Sequence, residues 1–123
     1  MKTNSVPLAL PIVTSGTPAT PPVDIEAAFG GFAIQFVNVT AATAVQYAVE
    51  ASLDGHTWVD VTNCLHDLGN GGTALSATIT TDSIYEFVGA FPGSVHVVCK
   101  HAPTSPPGTP PTAILSYQDS RST

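Results

Sequence analysis

The chain has 123 residues, and its nine acidic and three basic residues give it a net charge of −6. Charged residues make up only 10% of the chain, against about 25% in typical soluble domains. Binding to a phosphate backbone needs clustered Lys and Arg, so the composition predicts no nucleic-acid partner. No apolar run is long enough to span a membrane. The low charge indicates instead that other chains cover part of the surface.

The first 23 residues hold five prolines, a spacing that excludes a helix. Pro7 and Pro11 interrupt the short apolar stretch, which argues against a secretory signal. We therefore predict an extended proline-rich arm over residues 1–23, followed by a single β-sandwich domain over 24–123. Alternation of aliphatic residues with Pro and Ala suits an edge strand or a strap, lying on its own domain or on a neighbour. We expect removal of 2–20 to leave the sandwich folded, and we predict that four residues contact another chain: Val6, Leu8, Leu10 and Ile12.

Short alternating segments, separated by Gly, Pro, Asp and Asn turns, follow the arm. They predict an all-β fold of about seven to eight antiparallel strands, in a β-sandwich or jelly roll. The predicted strands cover residues 24–29, 32–39, 45–53, 56–61, 74–80, 84–91, 94–100 and 113–117.

The clearest hairpin lies within residues 45–61, where Asp54 and Gly55 form a strong turn signal. A two-residue turn would set Val49 against Asp60, whereas a three-residue loop sets it against Val59. A shift of one residue moves every side chain to the other face, so only one register can hold. We favour the three-residue loop because it keeps apolar side chains together. It predicts a buried face formed by Tyr47, Val49, Val59 and Val61, with Trp58 on the opposite face beside Glu50 and Ala48.

Two Cys-x-His pairs, Cys64 with His66 and Cys99 with His101, could in principle supply four zinc ligands. Zinc sites commonly place two to four residues between paired cysteines, so we interpret these pairs as coincidence. We predict two reduced thiols that bind no metal, because we place assembly in a cytoplasm.

The sequence does not indicate an enzyme or a cofactor. No serine lies in a nucleophile-elbow pattern, and turn roles account for Asp54, Asp67 and Asp82. The four histidines lie near predicted strand ends, which favours surface positions. Four aromatic residues could form a sugar-stacking platform, although ordinary core aromatics are the favoured interpretation: Tyr47, Trp58, Tyr85 and Tyr117.

Three segments resemble small structural proteins of tailed-phage virions: VEASLDGHTWVDVT, IYEFVGAFPGSVHVV and TAILSY. The resemblance covers about residues 45–117, and the chain has His96-Val97-Val98-Cys99 where those proteins often carry an Arg-containing strand. It implies a non-enzymatic protein that decorates or cements a capsid, bound to the major capsid protein or to its own copies as a dimer or trimer. The implied location is the capsid surface, after assembly in the host cytoplasm. The alternatives are a carbohydrate-binding sandwich on a virion appendage, and a neck or tail structural protein.

Overall fold

The computed structural model describes residues 2–16, 18–25, 31–75, 78–89 and 93–119, and it confirms the all-β class. The described part has two antiparallel sheets in a sandwich-like arrangement. Two short 3-10 turns, Thr62–Cys64 and Leu68–Asn70, interrupt the strands. The strands are β1 Lys2–Ala9, β2 Val23–Asp24, β3 Gly31–Val37, β4 Gln46–Ser52, β5 Val59–Asp60, β6 His66–Asp67, β7 Thr73–Ala74, β8 Ile84–Val88, β9 Ser94–His101 and β10 Thr112–Asp119.

The larger sheet has six strands in the order β1-β10-β3-β8-β6-β7, and the smaller sheet has four in the order β2-β9-β4-β5. Strand β3 has mostly buried residues at alternate positions, because side chains along a strand point to opposite faces. In β4 and β9 three consecutive residues are buried, since the outer face of the smaller sheet is partly covered as well. No helix in the described part of the chain is long and apolar enough to cross a membrane.

Aromatic rings join the two sheets at the centre of the core. The ring of Phe36 on β3 lies 6.1 Å from that of Tyr47 on β4, and it meets the ring of Tyr85 on β8 edge-on at 5.7 Å. Edge-to-face pairs at this separation add a small stabilisation to the burial of their area. The largest fully buried side chains are Tyr47, Tyr85, Phe36, Ile25, Ile34, Leu65, Ile79, Leu115, Val39, Val45, Val49 and Val95.

The N-terminal segment belongs to both sheets. Strand β1 pairs with β10 along its whole length, from Lys2 opposite Asp119 to Ala9 opposite Thr112. The chain then passes Tyr47, whose hydroxyl donates a 2.7 Å hydrogen bond to the Pro11 carbonyl. Further on, the Thr20 amide donates to the Val97 carbonyl at 2.9 Å, in the smaller sheet. The segment is extended, and its described residues lie on the protein's own domain.

This placement corrects the predicted anchor surface. Leu8 and Leu10 are each only 6% exposed and lie in the core, so the prediction that their side chains contact another chain is wrong. Val6 is half-buried and packs against the same core. Of the four predicted residues, Ile12 alone has an exposed side chain, at 37%. Val6, Leu8 and Leu10 alternate along the chain, so they lie on one face of the segment, and that face packs against the core.

The hairpin loop is longer than predicted. Glu50 lies opposite Asp60 and Ala51 opposite Val59, so the loop spans residues 53–57. The Asp54 carboxylate accepts hydrogen bonds from the backbone amides of His56 at 2.8 Å and Thr57 at 2.7 Å. A side chain that satisfies the loop amides in this way stabilises a wide turn that a two- or three-residue loop cannot accommodate.

The predicted buried face of the hairpin is correct for three of its four members. Tyr47 and Val49 are fully buried, and Val61 is half-buried against the core. Val59 lies on the same face but is 60% exposed. The predicted burial of Val59 is wrong because β5 is only two residues long and is the outermost strand of the smaller sheet.

Strands 32–39, 94–100 and 113–117 are confirmed with small shifts at their ends. The predicted strand 74–80 is mostly wrong. Among the described residues of that range, which exclude 76 and 77, Ala74 alone belongs to a strand, Thr73–Ala74. Ile79 instead pairs with Tyr47 of the smaller sheet through amide-to-carbonyl distances of 2.9 and 2.8 Å. Residues 26–29 and 90–91, at the ends of two other predicted strands, lie outside the described residues.

Candidate functional site

A group of polar and aromatic side chains lies on the outer face of the smaller sheet. Glu50 on β4 and His96 on β9 are directly opposite each other, and His96 Nε2 is 2.8 Å from Glu50 Oε1. Their neighbours Val49 and Val97 point inward to the core. Alternation along both strands therefore sets the carboxylate and the imidazole side by side on the outside.

Trp58 covers this pair. It lies just before β5, and its ring stacks on the His96 imidazole with centroids 3.7 Å apart and planes 14° from parallel. The predicted position of Trp58, on the face opposite the core and near Glu50, is confirmed. The indole leaves His96 only 8% exposed, so the prediction of a surface histidine is wrong at this position.

A cleft of about 500 Å³ opens beside the stack, and we call it the tryptophan cleft. Its floor is the outer face of the smaller sheet, and the connection between β1 and β2 forms its wall. Lys100 stands at its edge, with Nζ 3.8 Å from Glu50 Oε2. The lining residues are Thr14, Pro18, Ala19, Glu50, Trp58, His96, Val98, Cys99 and Lys100.

The carboxylate content of the cleft differs from that of a glycosidase site. Glu50 is the sole carboxylate among the described residues that line it, and glycosidases use two. The carboxylate is also engaged already, by His96 at 2.8 Å and Lys100 at 3.8 Å. What the cleft offers is an indole ring held in one orientation, next to a few polar groups.

The four-residue aromatic platform does not form. Tyr47 and Tyr85 are buried in the core, where burial raises the pKa of both hydroxyls. The Tyr85 hydroxyl donates to the Thr81 carbonyl at 2.8 Å. Trp58 and Tyr117 retain partial exposure, but Trp58 lies over the outer face of the smaller sheet and Tyr117 is on β10 of the larger sheet. Alternation had already placed Tyr47 and Trp58 on opposite faces of the hairpin, and the structure confirms that separation.

The cysteines occupy different environments, and both are free thiols. Cys64 is exposed at the end of a 3-10 turn, whereas Cys99 is buried on β9. Burial raises the pKa of the Cys99 thiol, which donates a hydrogen bond to the His101 carbonyl at 3.3 Å. Within the described ranges, no three His, Cys, Asp or Glu side chains are grouped as metal ligands would be. The absence of bound metal in the native protein stays a prediction.

The larger sheet presents a different kind of surface on its outer face. Pro7, Ile114, Gln35 and Ile84 form one row across β1, β10, β3 and β8. Ile84 and Ile114 are exposed, and a shallow depression of about 280 Å³ lies between them. We call the outward positions of these strands the neutral face. Glu86 is the one charged residue among its described members, which are Thr3, Ser5, Pro7, Ala9, Ala33, Gln35, Val37, Ile84, Glu86, Val88, Thr112, Ile114, Ser116 and Gln118.

The described residues form an all-β, two-sheet sandwich, with the tryptophan cleft on the outer face of the smaller sheet and the neutral face, which carries Glu86, on the outer face of the larger sheet. No family model and no curated protein matches the sequence. Among solved structures, the chain is similar to the SPBc2 prophage-derived protein YomS, with a TM-score of 0.60 and 8% sequence identity. The alignment covers 94% of this chain and 93% of the other. At this identity the likeness shows a shared fold.

Proposed function

We propose that this protein is a structural component of a phage virion that decorates or cements the capsid through its neutral face. The observation that carries the proposal is the near absence of charge on the described outward positions of four adjacent strands. A surface that stays in water normally has charges of both signs interspersed. A sheet face with two exposed isoleucines is better suited to contact with another protein.

Two independent likenesses support a phage origin. The fold is shared with a prophage-derived protein over nearly the whole chain. Residues 45–117 also resemble small structural proteins of tailed-phage virions, as described above. Neither likeness specifies a binding partner. Attachment to the capsid is therefore what the proposal adds to a phage origin.

The partner we propose is the major capsid protein, with self-association into a dimer or trimer as a second contact. Strand β1 is the outermost strand of the larger sheet in the described part of the chain. The outer edge of such a strand can pair with a strand of another copy. Pro7 has no amide hydrogen, and prolines in sheets are found on the solvent side of edge strands. Pro7 would limit this pairing to the segment before it.

The test is the composition of purified particles. Phage particles produced from the genome that encodes this chain are isolated, and the copy number of the chain relative to the major capsid protein is measured by quantitative mass spectrometry. A capsid decoration protein is expected at tens to hundreds of copies per particle. Fewer than about a dozen copies would favour the neck or tail alternative, and absence from the particle would refute the proposal.

Two matched lysine substitutions test the surface. Ile114→Lys places a charge at the centre of the neutral face, whereas Leu53→Lys places the same charge on the hairpin loop, where Leu53 is 73% exposed. We expect Ile114→Lys to lower occupancy on particles that lack the native protein, and Leu53→Lys to leave it unchanged. The reverse pattern would move the contact to the apolar groove between Leu53 and Val59.

A further inference from the structure

We propose that the tryptophan cleft binds a neutral carbohydrate, with the pyranose ring stacked on the free side of the Trp58 indole. The inference does not rest on the capsid proposal. It starts from the position of the cleft, on the opposite outer face of the sandwich from the neutral face. A protein attached through one face could therefore present the other to its surroundings.

The indole of Trp58 is held in one orientation by its neighbours. One ring face rests on His96 at 3.7 Å, and His96 is itself held by Glu50 at 2.8 Å. A ligand that stacks on such a ring does not have to order it first, so less of the binding free energy is lost. His96 occupies one side of the Trp58 ring, and the partly exposed tryptophan is one of the residues that line the cleft.

The lining of the cleft combines an aromatic ring with polar groups. Recognition sites combine an apolar surface with a few placed polar groups, and their volumes run from about 300 to 1,000 Å³. Here an indole lies beside the Glu50 carboxylate, the Lys100 amine and the Thr14 hydroxyl, in about 500 Å³. A pyranose has the matching character, because one face carries C–H groups and its rim carries hydroxyls that donate and accept.

The charges of the lining residues disfavour the other ligands that stack on tryptophan. Lys100 is the single Lys or Arg among the described lining residues, which is too little for a nucleotide phosphate. A quaternary ammonium would seek an uncompensated carboxylate, but His96 and Lys100 already face Glu50. The cleft is close to neutral, and so is the ligand that it fits.

The test uses the full-length protein and four probe sugars: glucose, galactose, N-acetylglucosamine and rhamnose. Trp58 is the only tryptophan of the chain, so intrinsic fluorescence reports on the cleft directly. At least one sugar should give a saturable change with half-saturation at about 1–10 mM. In the unmodified protein, amide chemical-shift changes should centre on Trp58, His96 and Val98, which requires no variant.

Variants then identify the ligand contact, with ligand-observed NMR replacing fluorescence. Trp58→Ala should weaken binding at least about tenfold, and Trp58→Phe should weaken it less because a ring remains. The control, Tyr117→Phe, lies on the other sheet and should leave the affinity unchanged. Thermal unfolding of each variant shows whether it is folded.

The inference is overturned if none of the four sugars gives a saturable change up to 200 mM, or if Trp58→Ala binds as tightly as the unmodified protein. Binding of choline or adenosine in place of every sugar would also overturn it. These measurements do not depend on particle composition. Failure to bind sugar would therefore leave the capsid proposal standing, and absence of the protein from particles would leave the carbohydrate proposal standing.

Discussion

The carboxylate of Asp82 accepts a 2.7 Å hydrogen bond from the backbone amide of Val39, a residue 43 positions earlier in the chain. The same carboxylate accepts from the amides of Asn38 at 3.2 Å and Thr40 at 3.0 Å. In return, the Asp82 amide donates to the Thr40 hydroxyl at 2.8 Å. One side chain therefore closes the turn after β3 against the segment before β8.

We expect Asp82→Ala to lower the free energy of unfolding by about 1–3 kcal/mol, because three backbone amides lose their acceptor. Asp82→Asn keeps one carbonyl oxygen and should cost less. Urea unfolding followed by circular dichroism measures both, with Glu86→Gln as the control. An Asp82→Ala protein as stable as the parent would show that water replaces the carboxylate without cost.

Removal of the N-terminal segment should unfold the protein rather than release an arm. Deleting residues 2–10 removes a strand that pairs along its full length with β10, together with two core leucines. As milder tests, Leu8→Ala and Leu10→Ala should each cost about 2–5 kcal/mol. Ile12→Ala, on a side chain that is 37% exposed, should cost under about 0.5 kcal/mol. A soluble, cooperatively folded deletion variant would restore the arm interpretation.

High pH should destabilise the fold through its two buried tyrosines. Burial raises the pKa of Tyr47 and of Tyr85 above the ordinary tyrosine value of about 10. A group whose folded pKa is raised contributes stability that is complete below its unfolded pKa and is lost as pH rises toward the folded one. The urea concentration at the unfolding midpoint should therefore stay constant around pH 8 and fall above about pH 10.

Tyr47→Phe and Tyr85→Phe should each flatten that alkaline loss, and Tyr117→Phe serves as the control. Tyr47→Phe should also lower stability at pH 7 by about 1 kcal/mol, because the bond to Pro11 is lost. The assignment fails if both variants keep the slope of the parent.

Low pH should loosen the hairpin loop. Backbone hydrogen bonds from Thr57 and His56, and one from the Ser52 hydroxyl, hold the pKa of Asp54 well below its usual range. A lowered folded pKa means that the contribution to stability is present above about pH 3.9 and is lost as pH falls below it. Asp54→Asn should remove this dependence, measured as protection of the loop amides from hydrogen exchange between pH 5 and 2. An unchanged protection profile would exclude the carboxylate as the cause.

The two thiols should differ in reactivity. Cys64 is exposed and should react with a maleimide in the folded protein, whereas Cys99 should react only after unfolding, because burial removes access and raises its pKa. Mass spectrometry counts the modified sites and, under native conditions, tests for zinc. Equal labelling of both cysteines in the folded state, or a bound zinc ion, would contradict the prediction.

The amino-acid sequence by itself determined the fold class and much of the strand layout. Period-two alternation identified β3, β9 and β10, since the burial of one sheet face is a local pattern along the chain. The same alternation placed Trp58 opposite the core. Low charge and the DG hairpin were likewise visible without coordinates.

Only the tertiary structure decided whether an alternating apolar face packs against the protein's own core or stays exposed. The alternating aliphatic side chains before Pro11 are compatible both with an anchor on another chain and with an edge strand. In the structure the segment pairs with β10, and Leu8 and Leu10 lie in the core. The Asp54 carboxylate accepts hydrogen bonds from two loop amides, and these bonds stabilise a longer loop than apolar matching predicted. The tryptophan cleft joins Glu50 to His96 across 46 residues of sequence. Such a contact depends on the order and register of strands, which are set by interactions between distant segments and leave no local pattern in the chain.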